Sequence, residues 1–465
     1  MENQKKGLNI SAKSFITAIL ILLLLMIGTY ILSFFVPGGC FERVSENGRE
    51  LVVPGTYRAA EGGIPFWKFI LSPFLVLGSE GGGTIIAVTA FLIVVGGVFN
   101  SLEKCGLMKY MLDKIVARYR SARYRLLLIV ALFFMAMGSF IGSFEECVPL
   151  VPIVVALSVS LGWDSVTGLG MSLLAAGCGF AAGICNPFTI GVAQELAGLK
   201  MFSGLWLRLL SFALIYALLS AFLYIHAKKV DRGSTDSGSP EKFVPNKKMD
   251  RALVCFVTIL GAGIIVVLSS GFIPALRDFT MPVVALTFLA AGISSVLVSG
   301  MSGRELGRTF FNGALSIAPA ILMILMASSI RYILTEARIL DTILYHAMNM
   351  TSHIPSALII LFIYLIALVM NFFISSGSAK AFLLMPLITP VADLWGISRQ
   401  LCVVAYAFGD GFSNVFYVTN PVLLISLGLA GVSYGKWVKW SWKFQACNLV
   451  LTALLLLLGF AVGYA

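Results

Sequence analysis

The sequence predicts an all-α integral membrane protein with two inverted repeats, and its composition and helix-breaking residues lead to this prediction. The 465 residues are 59% hydrophobic and 12% charged, with a mean hydropathy of +0.95. Soluble globular chains average about 25% charged residues, so a single buried core does not account for this composition. Polar and helix-breaking residues also interrupt the apolar segments at similar places in the two halves of the chain.

The first half contains apolar segments that approach or exceed the roughly 20 residues needed to cross a bilayer as a helix. They are Ser14–Pro37, Thr84–Leu102 and Leu205–Ile225. The first is long and flanked by lysines, with no small-residue cleavage site after it, which favours a retained span over a signal peptide. Ile64–Leu77 is short and contains Pro65 and Pro73, so we expect it to be interfacial or re-entrant.

The net charge of +11 comes from basic residues that gather in a few polar segments, which indicates cytoplasmic loops. These are Lys5, Lys6 and Lys13; Lys104 through Arg125; Lys228 through Arg251; Arg304 and Arg308; and Lys436, Lys439 and Lys443. The polar loop Gly38–Gly63 has no basic excess and is expected outside. No basic patch interleaved with aromatic residues indicates a nucleic-acid partner. The eight cysteines form no metal-binding pattern, and because only Cys40 falls in an external loop, no intrachain disulfide is expected.

The first predicted repeat covers residues 1–226. Glu103–Arg120 has apolar residues at helical spacing and basic residues on other faces, which suits either an interfacial helix or a packed cytoplasmic helix. A re-entrant hairpin follows at about 125–162, with a polar, glycine-rich tip at its centre. The next helix, 165–199, is broken at Asn186-Pro187.

A polar linker, residues 227–251, separates this unit from a second predicted repeat, residues 252–465. Its predicted elements are spans near Ala252–Gly271, Met281–Ser299 and Ala314–Ile330, an amphipathic stretch at Tyr332–Met350, a hairpin at about 356–394, a helix at 400–431 broken at Asn420-Pro421, and a last span near Trp437–Gly459.

A shift of 234 residues aligns the two Asn-Pro breaks without a gap. The same shift aligns Pro152 with Pro386, Gly162 with Gly396, Gly177 with Gly411 and Trp206 with Trp440. With basic loops in the cytoplasm, the first hairpin enters from the cytoplasmic side and the second from outside. Matched units of opposite orientation with broken helices are typical of transporters that bind substrate at mid-membrane.

Four ionisable residues lie deep in apolar segments, where such groups are expensive and usually functional. Glu145 and Glu146, at the first tip, suit binding of an ion, a proton or a substrate ammonium, or capping of a helix that starts at Cys147. Lys380, at the second tip, suits a substrate carboxylate, neutralisation of the glutamates, or snorkelling to the outer interface. Asp410 favours sodium or proton coordination over a structural hydrogen bond.

Several motifs resemble the YfcC-like branch of the anaerobic C4-dicarboxylate carrier (DcuC) family, within the ion-transporter superfamily. They are Gly142 through Glu146, Cys178 through Gln194, Ser376 through Ser378, and Phe408 through Asn414. The resemblance implies an elevator-type carrier in which hairpin tips and broken helices form the substrate and ion sites. This chain has Ala379-Lys380 where the family's commoner tip continues Gly-Gln, which places a cation in the implied site.

We therefore expect one site formed by the tips and the breaks. Its expected substrate-binding residues are Ser143, Glu145, Glu146, Asn186, Pro187, Thr189, Ser376, Gly377, Ser378, Lys380 and Asn420. Its expected Na⁺ ligands are Ser143, Asn186, Ser378, Asp410, Asn414 and Thr419. For Asn186, Thr189, Thr419 and Asn420, satisfying the broken backbone is the alternative role.

The expected function is secondary active transport of a small carboxylate-bearing metabolite, with a C4-dicarboxylate first and a basic amino acid of the arginine/ornithine type as the alternative. Transport is expected to be coupled to Na⁺ or H⁺, or to run as exchange; a channel is the non-carrier alternative. No nucleophile–base or metal constellation indicates an enzyme, and no Walker motif is present. No cofactor besides Na⁺ is expected. We expect a multi-pass protein of the cell inner membrane that forms a homodimer through scaffold helices.

Overall fold

A computed structural model describes residues 12–46, 49–79, 82–119, 122–142, 144–200, 202–231, 244–269, 280–349 and 356–464, and these residues are mostly helical. The helices of the first half are α1 Ala12–Phe35, α2 Phe66–Leu75, α3 Gly82–Lys104, α4 Leu107–Tyr119, α5 Arg123–Ala136, α6 Val151–Ser160, α7 Ser165–Leu169, α8 Ala175–Ala181, α9 Val192–Leu196 and α10 Leu205–Val230. Those of the second half are α11 Lys247–Ser269, α12 Thr280–Val298, α13 Gly303–Ser316, α14 Ala318–Glu336, α15 Ile339–Asn349, α16 Ser356–Phe373, α17 Gly377–Leu394, α18 Arg399–Asn414, α19 Pro421–Leu429 and α20 Tyr434–Ala461.

Membrane residence is consistent with the length and apolarity of these helices. Within the described ranges, four helices are long and apolar enough to cross a bilayer: Ile85–Lys104, Arg123–Phe140, Leu205–Val230 and Tyr434–Ala461. Several shorter apolar helices lie among them, including Ile19–Phe35, Pro282–Val298 and Leu358–Phe373. Helix α2 spans only ten residues, or about 15 Å, which is half the thickness of the hydrocarbon core.

The all-α prediction assumed an irregular loop after α1, but part of this loop is regular. Two antiparallel strand pairs form there: β1 Gly38–Cys40 with β4 Arg58–Ala60, and β2 Arg43–Glu46 with β3 Arg49–Val52. Strands of three or four residues carry too little alternation to be read from sequence. Asp341 of α15 anchors this loop, since its carboxylate accepts from Phe41 N at 3.1 Å and from Arg43 Nη2 at 3.0 Å.

Each predicted hairpin corresponds to a pair of helices with a short irregular tip. In the first, α5 continues through a π turn, Met137–Ile141, to Gly142, and the returning arm begins with a 3₁₀ turn, Glu145–Leu150, before α6. Both glutamates therefore lie inside the first helical turn rather than ahead of a helix that starts at Cys147. In the second hairpin only Ile374–Ser376 separates α16 from α17.

The bases of the two hairpins lie at opposite ends of the first broken helix. Arg123, at the start of α5, donates to Leu161 O at 3.1 Å, which places the first base beside the start of α7. Arg399 pairs with Asp393 at the end of α17 and donates to Ala197 O at 2.8 Å, just beyond α9. The hairpins therefore enter the molecule from opposite ends.

Two predicted elements of the second half have different bounds. The expected span Ala314–Ile330 is divided by Ile317 between α13 and α14, and Pro319, which favours the first turn of a helix, follows this interruption. The amphipathic stretch Tyr332–Met350 is divided at Arg338, whose φ is 56°. Its first part completes α14, its second part forms α15, and Met350 lies outside the described residues.

Candidate functional site

The first broken helix contacts both hairpin tips. Asn186 and Thr189 are fully buried at the break between α8 and α9, where Thr189 N donates to Asn186 Oδ1 at 3.2 Å. Gly142, at the first tip, has φ of 76°, and a methyl group placed on it would overlap the Asn186 side chain. A methyl group on Gly377, at the second tip, would lie 2.7 Å from Thr189 Cγ2. The segment Asn186–Thr189 therefore brings the two tips together.

An ion pair lies where the second hairpin meets the second broken helix. Lys380 is one turn inside α17, and its Nζ donates to Asp410 Oδ1 of α18 and to Asn371 Oδ1 of α16. Neither side chain of the pair has any exposed surface. The ring centroid of Tyr406 lies 5.8 Å from the same ammonium, within range of a cation–π interaction.

Asn371 connects this ion pair to the second break. Its amide nitrogen donates to Asp410 O at 3.1 Å, to Ser413 Oγ at 2.6 Å and to Asn414 Oδ1 at 3.0 Å. Asn414 Oδ1 also accepts from Asn420 Nδ2 at 2.8 Å. Asn420 caps α19, since its Oδ1 accepts from Val422 N at 2.9 Å. A continuous network of buried amides therefore extends from the Lys380 ammonium to the start of α19.

Asp410 and Thr189 both adjoin the second tip. Each has one buried oxygen, Oδ2 and Oγ1 respectively, without a hydrogen-bond partner within the described part of the chain. A methyl group on Gly377 would lie 2.7 Å from Asp410 Oδ2, so the carboxylate oxygen and Thr189 adjoin the same glycine. An unpaired buried carboxylate oxygen is costly, and such atoms in native structures usually have a functional explanation.

The structure places the predicted site residues unevenly. Asn186, Thr189, Gly377, Lys380, Asp410, Asn414 and Asn420 belong to the contacts described above. Ser376 is exposed and Ser378 is partly buried. Thr419 is buried beside Asn420, and its hydroxyl has no partner among the described residues. Ser143 and the side chains of Glu145, Glu146 and Pro187 lie outside the described residues.

The structure corrects one interpretation of Lys380. Snorkelling to an interface is wrong, because the side chain is completely buried in an ion pair. Among the described residues, the carboxylate that it contacts belongs to Asp410. Of the expected metal ligands, Asp410, Asn414 and Asn186 offer the hard oxygens that Na⁺ prefers. No group of three or more His, Cys, Asp or Glu side chains suited to a metal ion occurs among the residues described.

Sequence reasoning missed three members of the site. Asn371 joins Lys380 to α18, Ser413 accepts from Asn371, and the Tyr406 hydroxyl donates to Gly377 O at the second tip. A signal for Asn371 was present, since it is a lone amide near the end of the otherwise apolar helix α16. Tyr406 precedes Asp410 by four residues, so helical periodicity places both on one face.

Comparison with known families identifies the chain. The model of the C4-dicarboxylate anaerobic carrier family, DcuC, matches residues 15–461. The chain belongs to the DcuC family. The family predicted from the tip and break motifs is therefore confirmed, and this DcuC family member is a membrane transporter.

Two curated relatives cover most of this DcuC protein. It is 32% identical to a protein of Escherichia coli (strain K12) named "Putative basic amino acid antiporter YfcC", over 77% of this chain and 74% of that protein. It is 26% identical to an uncharacterised protein of Haemophilus influenzae (strain ATCC 51907 / DSM 11121 / KW20 / Rd), over 88% of this chain and 81% of that protein.

Solved transporter structures resemble this DcuC protein more distantly. The YdaH transporter of Alcanivorax borkumensis has a TM-score of 0.48 and 17% identity, covering 97% of this chain and 99% of its own. Neisseria gonorrhoeae MtrF has a TM-score of 0.46 and 15% identity, covering 99% of this chain and 96% of its own. At these scores the likeness does not establish a shared fold.

Proposed function

We propose that this DcuC family member is a secondary antiporter of amino acids that carry a cationic side chain. The observation that carries the proposal is the unpaired, buried Oδ2 of Asp410 beside the second tip. A carboxylate oxygen accepts hydrogen bonds and repels a substrate carboxylate, so it suits the α-ammonium group of an amino acid. Thr189, whose Cγ2 adjoins the same glycine, carries a buried hydroxyl that is unpaired among the described residues, and we assign this hydroxyl as a second oxygen for that group.

The formal charges of the tips and breaks support a cationic substrate. The Lys380 ammonium forms an ion pair with Asp410, so this lysine is not free to bind a substrate carboxylate. Because the charges of Lys380 and Asp410 cancel, Glu145 and Glu146 give the tips and breaks a net negative formal charge. In a low-dielectric site a dianionic substrate would be repelled, whereas a basic amino acid would offset this charge. The name of the Escherichia coli relative, "Putative basic amino acid antiporter YfcC", supports this substrate class.

A C4-dicarboxylate is the second candidate, because the matching family model is described as a C4-dicarboxylate carrier. This candidate requires Lys380 to leave Asp410 when substrate binds. Lys380 would then pair with a substrate carboxylate in place of Asp410. The Asp410 carboxylate would be left buried without a counter-charge unless it takes up a proton.

We also propose that the two halves are inverted repeats that operate as an elevator, in the inner membrane and as a homodimer through scaffold helices. The opposite entry of the hairpins supports the repeats. So does the crossing of the broken helices: a methyl group on Gly177 would overlap Val415, and one on Gly411 would overlap Ala181. Under the 234-residue shift Gly177 corresponds to Gly411 and Ala181 to Val415. Such reciprocal contacts are the mark of a two-fold axis.

Counterflow in reconstituted vesicles tests the substrate. Vesicles loaded with unlabelled arginine, ornithine, succinate or fumarate are diluted into each labelled solute in turn. We expect exchange among the basic amino acids and none with the dicarboxylates. Exchange confined to the dicarboxylates would replace the proposal with the second candidate.

A matched pair of variants tests the role assigned to Thr189. Thr189→Val keeps the side-chain shape but removes the hydroxyl, and we expect a weaker apparent affinity for the amino acid. Thr389→Val is the control, because Thr389 is also buried but its hydroxyl donates to Met385 O within its own helix. Equal affinities in the two variants would remove Thr189 from the site.

A further inference from the structure

The position of the Lys380 ammonium has the features of a cation site. Its contacts are a carboxylate oxygen from Asp410, an amide oxygen from Asn371 and the ring of Tyr406. Both oxygens are hard, anionic or dipolar ligands of the kind that a sodium ion would take. Asp410 lies in the last turns of α18, where the helix dipole adds negative potential.

We propose that Lys380 is a tethered cation that occupies the place of a coupling ion, so that the carrier binds and transports without Na⁺. This inference rests on the proposed transport function and specifies its coupling. The ammonium is joined to α17 by its own side chain, and both members of the pair are fully buried. A sodium ion at Asp410 Oδ1 would therefore have to displace a covalently attached charge or lie against it, and like charges repel strongly in a low-dielectric interior.

Hydrogen bonds connect the Lys380 ammonium to the side chains at the second break. The ammonium holds Asn371 Oδ1, and the amide nitrogen of the same residue donates to Ser413 Oγ and Asn414 Oδ1. Asn414 in turn accepts from Asn420, which caps α19. A cation at this position thus orients the side chains that hold the break, which is the structural role that a bound ion would otherwise have.

A tethered cation at this position favours the exchange of one solute for another over transport driven by a sodium gradient. An ion that binds and dissociates can couple its gradient to the solute, since the carrier returns without it. A lysine ammonium stays with the carrier in both directions, so no sodium gradient can act through this position. In the proposed antiporter, the driving force comes from a second solute that moves the opposite way. The remaining oxygen, Asp410 Oδ2, stays available to each solute in turn.

Thermal unfolding of the purified full-length protein tests this inference without any substrate. In sodium chloride and in choline chloride of equal ionic strength, the wild-type protein should unfold at the same midpoint. Lys380→Ala and Lys380→Gln should unfold at lower midpoints in choline, and Na⁺ should raise those midpoints with the logarithm of its concentration. Lys443→Gln, which removes an exposed lysine 5.8 Å from the Trp442 ring, should show neither effect.

A sodium-dependent midpoint of the wild-type protein would overturn the inference, as would folded Lys380 variants that remain insensitive to Na⁺. If neither variant folds, the wild-type measurement decides. In vesicles, wild-type exchange should also be unchanged when choline replaces Na⁺ and when an ionophore dissipates the pH gradient. Loss of exchange with the ionophore would show that transport is coupled to protons, which also contradicts exchange driven by the second solute alone. If basic amino acids are not exchanged but the unfolding results hold, the substrate proposal fails and the tethered cation stands.

Discussion

Lys380 and Asp410 form an ion pair in which neither side chain has any exposed surface, although one lies on the second hairpin and the other on the second broken helix. Moving an ammonium and a carboxylate from water into such surroundings carries a large desolvation penalty, which their attraction offsets only when the geometry and the remaining hydrogen bonds are good. Here Asn371 provides one of those bonds, while Asp410 Oδ2 lacks one. The unpaired buried oxygen makes this ion pair a candidate functional site.

Removal of one charge from this pair should be far more damaging than removal of a similar charge at the surface. Asp410→Asn leaves the Lys380 ammonium buried without a counter-charge, and we expect a loss of about 3–5 kcal/mol of unfolding free energy. Asp393→Asn breaks a pair with Arg399 in which both side chains are more than 40% exposed, and we expect about 0–1 kcal/mol. Denaturation of both variants in the same detergent makes the comparison, and equal losses would contradict the buried pair.

The crossing of the two broken helices should not tolerate a methyl group. Gly411→Ala would overlap backbone atoms of Ala181, whereas Gly177→Ala would overlap only the side chain of Val415. We expect a cost of about 1–3 kcal/mol for overpacking, with the larger value at Gly411 because backbone cannot rotate away. Gly435→Ala is the control, since no atom lies near that position. A Gly411→Ala melting midpoint equal to that of Gly435→Ala would rule out the close crossing.

The basic-loop count predicts that Cys40 faces the outside of the cell. Cys40 is a free, partly exposed thiol in β1. A membrane-impermeant maleimide should label it in intact cells, and Cys40→Ser should abolish that label. Labelling that requires permeabilised cells would reverse the assigned orientation of the whole chain.

Acid should weaken the base of the first hairpin through Asp164. Burial alone would raise the pKa of this carboxyl, but hydrogen bonds from His226 and Thr167 outweigh it and hold the pKa below its usual range. A depressed pKa contributes stability above the unfolded value of about 3.9, and this contribution is lost as the pH falls toward the native value. Asp164→Asn keeps the oxygen that caps α7 but not the charge.

The melting midpoint of the wild-type protein should consequently fall more steeply below about pH 4 than that of Asp164→Asn. Identical acid profiles for the two proteins would show that this carboxylate does not contribute to stability. Thr167→Val offers an intermediate case, because it removes one donor to Asp164 Oδ1 at 2.6 Å and retains the backbone donor at 2.8 Å.

The sequence by itself determined which segments are apolar helices and where they are interrupted. Asn186-Pro187 and Asn420-Pro421 start the helical segments that follow the two breaks, since proline favours the first turn of a helix, and long apolar segments need the bilayer. The family could also be predicted from the sequence, because each of its motifs is a contiguous segment of the chain. The strands at Gly38–Ala60 and the interruption at Ile317 were missed because their local signals are short or weak.

Only the tertiary structure decided which polar groups meet. None of the roles expected for Lys380 included Asp410 as its partner, but α17 starts at Gly377, so the side chain lies one turn inside a helix and meets Asp410. Asn371 became the centre of the network because α16 packs against α18, a contact between segments separated by 25 residues or more. Periodicity specifies the face of a helix, whereas the partner of that face depends on packing between distant helices, which no local pattern encodes.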